Sequence, residues 1–145
     1  MSFYTPENYQ MVESVGFALN KARNLLTAEM DAALKELDAK AQHIGIMMAL
    51  SRGMLATPAG LARHLGVDSG LMTRMLDRLE ARGWLTRSRD SADRRVVNLQ
   101  LTDAGRAAAT RIVEIAPDVL NARLHGFSAE EFDQLSRLLR KFLND

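Results

Sequence analysis

The hydrophobic rhythm of this chain changes at Gly83, and that change restricts the folds open to it. Before Gly83 the apolar residues recur at helical spacing: in "LMTRMLDRLEARG", Leu71, Met72, Met75, Leu76 and Leu79 share one face. After Gly83 the period falls to two. Trp84–Arg87 and Arg95–Leu101 read as strands, with Val97, Leu99 and Leu101 alternating against polar neighbours. The link "SRDSAD" is polar turn chemistry, so the pair is a hairpin whose tip is dense in arginine and aspartate. A lone two-stranded hairpin is marginal in water. It must therefore ride on a helical body.

The rest of the chain supplies that body. Val12, Val15, Leu19, Ala22, Leu26 and Met30 step by three and four, which predicts one long helix over roughly residues 8 to 31. Ala41 to Leu50 is a short, nearly all-apolar helix. Thr57–Pro58 is a helix start and Gly66 a stop. Asp68 caps the next helix and Gly83 ends it. Thr102 caps a helix running to about Arg123, with Pro117 as an expected kink. Ser128 and Glu131 form a capping box for a last helix with Phe132, Leu135, Leu138, Leu139 and Phe142 on one side. The expected fold is mainly α, with about six helices plus a two-stranded hairpin, in one domain over residues 1–145.

Two short helices followed by a hairpin form the winged helix-turn-helix arrangement, here residues 41–102. The second short helix of such a unit fits the major groove of DNA. Its exposed face here carries Ser69, Gly70, Thr73, Arg74 and Asp77, small and polar near the start, with Arg78 alongside. Small residues let a helix approach base edges. The wing carries Arg87, Arg94 and Arg95, suited to phosphates or a narrow minor groove. Asp93 is expected to hold one of these guanidinium groups by a two-pronged hydrogen bond and so aim the wing. Arg74 has two readings: a base contact, or a partner for Asp93.

Charge is distributed accordingly. Residues 52–111 hold eleven arginines against six acids, +5, which leaves −4 for the two ends of a chain whose net charge is +1. A basic centre between acidic ends suits an anionic partner for the centre, although a solvated face accounts for the same count.

Other classes lose ground. There are no cysteines, so disulfides and thiolate metal sites are out, and a reducing cytoplasm fits. No apolar run approaches the ~18 residues that span a bilayer, and "MSFYTPENYQ" lacks the pattern of a signal peptide. His43, His64 and His125 lie far apart without acidic partners at metal-ligand spacing. No nucleophile motif, phosphate loop or carboxylate pair in a glycine-rich context points to an enzyme or to a cofactor.

The wing "DRRVVNLQLT", from Asp93 to Thr102 with Gly105 following, and the preceding "TRMLDRLEARGWLTR" together resemble the MarR family of bacterial transcriptional regulators, over nearly the whole chain. The resemblance implies a homodimer paired through residues 1–40 and 103–145, with both wings on one DNA face. The wide apolar stripes at the two chain ends agree with that. It implies a pseudo-palindromic double-stranded operator, and a regulator that works in the cytoplasm away from any membrane. It also implies a repressor released by a small aromatic or phenolic ligand, for which Arg23, His43, Met47 and Arg52 are the candidate contacts, although Met47 reads more readily as plain core and His43 as a capping or surface histidine. The alternatives are a winged-helix module that binds another protein and a DNA-binding protein with no ligand response. The first of these has no need of small residues at Ser69, Gly70 and Thr73.

Overall fold

The computed structural model of the protein describes residues 1–53 and 57–144. Six α-helices and one hairpin follow in the order α1 (Val15–Ala33), α2 (Ala41–Ser51), α3 (Pro58–Leu65), α4 (Ser69–Ala81), β1 (Leu85–Arg89), β2 (Val97–Leu101), α5 (Asp103–Leu124) and α6 (Ala129–Leu143). Local chemistry sets most boundaries. Thr57, Asp68, Thr102 and Ser128 each accept the backbone N–H three residues on, and Ser128 completes its capping box with Glu131. Gly66 and Gly83 end α3 and α4 in the left-handed region that glycine reaches without strain.

The start of the first helix and the limits of the strands depart from expectation. The first helix starts at Val15, not near residue 8. Ser14 caps it, its hydroxyl accepting the Phe17 N–H and donating to the Met11 carbonyl, while Met11–Glu13 form a single 3-10 turn. Local capping thus stops the helix although the apolar spacing continues to Val12. The strands are also displaced toward the tip on one side and away from it on the other, pairing Leu85 with Leu101 and Arg89 with Val97. As expected, Thr102 caps α5, which runs to Leu124 with Pro117 inside it.

The core lies between α1 and α5. Leu34, Ile46, Met47, Leu61, Met72, Leu76, Leu79, Leu85 and Ile112 are fully buried. Every helix from α1 to α5 buries residues; α6 buries none. On α6, Phe132, Leu135, Leu138, Leu139 and Phe142 stay exposed. Leu135 and Leu139 line an open apolar trench of about 310 Å³ shared with Leu19, Leu25 and Leu26 of α1 and Leu124 and Phe127.

The hairpin is anchored where it leaves α4. Trp84 is buried, and its carbonyl accepts the Thr102 N–H at 3.0 Å. The first turn of α5 sits so close that a Cβ on Gly105 would fall 2.0 Å from that same carbonyl oxygen. The wing and α5 therefore meet backbone to backbone.

Candidate nucleic-acid interface

α4 presents its apolar residues inward and a polar face outward. Met72, Met75, Leu76 and Leu79 are buried, whereas Ser69, Gly70, Thr73, Arg74 and Arg78 are exposed. The Thr73 hydroxyl donates to the Ser69 carbonyl at 2.9 Å. Its proton is thus spent within the helix, and it offers the outside an acceptor lone pair and a methyl group. A side-chain carbon on Gly70 would lie 3.6 Å from Nη1 of Arg74, so the guanidinium reaches back over the first turn.

The wing tip is organised by two aspartates acting on backbone. Asp90 Oδ1 accepts the Ala92 and Asp93 N–H groups at 2.8 and 3.0 Å, and Oδ2 accepts from the Asn98 amide at 3.4 Å. These bonds hold the Asp90 carboxyl below the ordinary carboxylate range, the Asp93 N–H contributing most. Asp93 Oδ1 accepts the Arg95 backbone N–H at 3.0 Å. This corrects the expected role of Asp93: it shapes the turn through main chain, because a side chain two residues away in a tight turn reaches the N–H first. The Arg94 and Arg95 side chains are left exposed, and among the described residues neither forms an ion pair. Nor does Arg74 pair with Asp93. Arg89 donates to the Arg94 carbonyl at 2.9 Å and closes the tip.

Arg87 stands apart from the other arginines. It follows Leu85 on the inward face of β1, and its guanidinium meets Asp77 at 2.6 Å and Glu80 at 3.5 Å on α4. It was expected as a DNA contact by charge alone; the structure engages it inside the winged unit.

Arg82 was counted among the central arginines but given no role. It caps the C-terminus of α4 and spans to the linker between α1 and α2. Its guanidinium donates to the Leu37 carbonyl at 3.1 Å and to the Asp38 carbonyl, pairs with the Asp38 carboxylate at 2.8 Å, and lies 4.0 Å over the Trp84 ring. The only sequence signal was an arginine two residues before a tryptophan at a helix end.

The four ligand candidates are not brought together. Met47 is completely buried core on α2. Arg52 is exposed at the C-cap of α2, and Arg23 is exposed on α1, donating to Asn20 at 3.3 Å. His43 is buried, 4 % exposed, with neither ring nitrogen hydrogen-bonded. A surface or capping histidine was the plainer expectation, and the inward face of an almost wholly apolar helix explains the difference. Burial, then the charges of Arg82 and Arg78, push its pKa below the ordinary value, so the ring is neutral. A polar cleft of about 200 Å³ lies between α1, the start of α2 and α4, lined by Thr27, Asp31, Lys40, Gln42 and Arg78. Among the described residues no three metal-ligating side chains cluster, and no helix is long and apolar enough to cross a membrane.

Residues 41–97 match the family model described as MarR family. The chain is 33 % identical over 124 residues to the HTH-type transcriptional regulator PecS of Dickeya dadantii, an alignment covering 83 % of this chain and 75 % of PecS. This chain belongs to the MarR family. Members of that family are transcription regulators, not enzymes. Among solved structures, Bordetella bronchiseptica BpsR, described for regulation of its DNA binding by 6-hydroxynicotinic acid, superposes with a TM-score of 0.85 at 26 % identity, covering 94 % of this chain and 98 % of BpsR. An E. coli MarR variant complexed with operator DNA superposes at 0.84 with 27 % identity, over 93 % of this chain and 99 % of MarR. The helix-helix-wing order of this MarR-family protein is thus the winged helix-turn-helix fold.

Proposed function

We propose that this protein is a homodimeric transcriptional repressor of the cytoplasm that binds a pseudo-palindromic operator in double-stranded DNA and lets go when a small aromatic acid or phenol binds. The observation that carries the DNA reading is the exposed face of α4 beside a wing whose two tip arginines form no ion pair among the described residues. Ser69, Gly70, Thr73, Arg74 and Arg78 would meet the major groove, and Arg94 and Arg95 the adjacent minor groove or its phosphates. With its proton already donated, Thr73 suits an adenine or cytosine amino group or a thymine methyl rather than a guanine edge. The operator complex of the related MarR variant supports the same mode.

Dimerisation follows from α6. A helix that buries nothing, exposes Phe132, Leu135, Leu138, Leu139 and Phe142, and lines an apolar trench with Leu135 and Leu139 needs a cover, and a second copy supplies an identical stripe. For the effector, the cleft between α1, α2 and α4 fits better than the four residues first considered, since Lys40 and Arg78 line it and a carboxylate bound there would compete with DNA for Arg78. The BpsR relative, whose DNA binding is regulated by 6-hydroxynicotinic acid, favours such a ligand.

The test is fluorescence anisotropy on labelled duplex with the purified protein. Binding of random duplex at low salt, weakening steeply as salt rises, is expected. Thr73→Ala should lower preference between sequences more than non-specific affinity, because base contacts specify and phosphate contacts position. Titration with hydroxylated aromatic acids should release the DNA, and Lys40→Ala should blunt that release. No binding to any duplex at low salt would refute the reading.

A further inference from the structure

We propose that Arg87 is a positioning residue that locks the wing to the recognition helix and does not contact DNA; the inference rests on the DNA-binding role proposed above. It begins from an oddity of α4. A helix face that reads DNA carries a carboxylate, Asp77, in line with Ser69 and Thr73, and a second, Glu80, one turn later. Unpaired carboxylates there would be repelled by phosphates. Arg87 accounts for both. Its side chain is 28 % exposed, points from the inward face of β1 toward α4, and splits its two terminal nitrogens between them, Nη2 to Asp77 at 2.6 Å and Nη1 to Glu80 at 3.5 Å. Nε is buried without a hydrogen-bond partner, so the guanidinium is seated in the junction rather than swinging from it.

The consequence is geometric. Arg87 pairs across the hairpin with Leu99, whose side chain is buried in the core, while the two aspartate-built turns at the tip carry Arg94 and Arg95. Fixing Arg87 to α4 therefore fixes the angle between the reading face of the helix and the tip arginines. That angle determines whether both can engage neighbouring grooves at once. A planar fork meeting two acceptors is the geometry that arginine supplies and lysine does not.

Electrostatics gives the test an unusual sign. Asp77→Asn with Glu80→Gln removes two negative charges from the DNA face while keeping side-chain shape. If charge alone governed affinity, operator binding would tighten. If the brace matters, operator binding weakens by roughly tenfold while binding to random duplex tightens, since the wing loses its aim but the face becomes more basic. Arg87→Gln should weaken operator binding by a similar roughly tenfold factor, with the slope of log affinity against log salt unchanged, because no phosphate contact is lost. Arg87→Lys should behave like Arg87→Gln.

Each variant is first checked for an unaltered far-ultraviolet melt, and the acid pair and Arg87→Lys keep the test alive if Arg87→Gln does not fold. The proposal is overturned if Arg87→Gln makes the salt slope shallower by about 0.9 per protomer, if Arg87→Lys keeps wild-type affinity, or if the acid pair tightens operator binding. Failure of the wild-type protein to bind any duplex would instead strike the proposed function itself and the brace's purpose with it.

Discussion

Replacing Arg82 with alanine should cost this fold far more than its position at a helix end suggests. The side chain, 27 % exposed, makes hydrogen bonds to two backbone carbonyls of the α1–α2 linker, one ion pair and one stacking contact. A hydrogen bond from a charged donor is worth about 1.5–3 kcal/mol, and two that share one partly exposed guanidinium fall toward the low end. The contact over Trp84 adds about 0.5–1 kcal/mol. The Asp38 carboxylate is 87 % exposed, so its ion pair contributes under about 1 kcal/mol. The expected loss is about 3.5–5 kcal/mol. Asp38 supplies an internal control. It sits at φ 53°, in the left-handed region, where glycine is less strained. Asp38→Gly gives up a weak ion pair and relieves backbone strain, so it should change stability by less than about 1 kcal/mol. Urea unfolding at fixed protein concentration, followed by the emission of the single tryptophan, Trp84, measures both. A loss below about 1 kcal/mol for Arg82→Ala, or an equal loss for Asp38→Gly, would refute the reasoning.

Three further outcomes are expected. Arg95→Ala should leave the thermal melt intact and weaken operator binding by about 1–3 kcal/mol in a mobility-shift titration. His43 is buried and neutral with a lowered pKa, so the unfolded chain takes up protons more readily as pH falls. Its contribution to stability is complete above about pH 6.5 and declines as pH falls from there toward the lowered folded value; His43→Leu should flatten that acid limb in melts taken across the range. Gly105→Ala places a carbon 2.0 Å from the Trp84 carbonyl oxygen, a backbone atom that cannot rotate away, and should cost at least about 1–3 kcal/mol by denaturant unfolding.

The parts of the fold visible in the sequence were those fixed by short-range chemistry. Thr57–Pro58, Gly66, Asp68, Gly83, Thr102 and the Ser128–Glu131 box each act within one helical turn, and each stands where its residue type predicts. The hairpin followed from the change of period at Gly83. What stayed hidden was the choice of partner, whether it lay far along the chain or only two or three residues away. Counting charge finds Arg82 and Arg87 but cannot find Asp38, Asp77 or Glu80 as their partners, 44 residues away in the first case. The same count assigned Asp93 to a guanidinium, although the nearer Arg95 N–H takes it. Periodicity carried α1 past Ser14 because apolar spacing says nothing about where a hydroxyl will cap. His43 looked like a surface residue because one polar position in an apolar helix does not reveal how many sides are covered.

In the proposed function, α4 and the wing read DNA as a symmetric pair. Selection of bound sequences from a random duplex pool by the purified protein tests this. The expected product is an enriched inverted repeat with half-site centres about 10 base pairs, or roughly 34 Å, apart, as two recognition helices related by a two-fold axis require. An enriched single half-site, a direct repeat or no enrichment would contradict it.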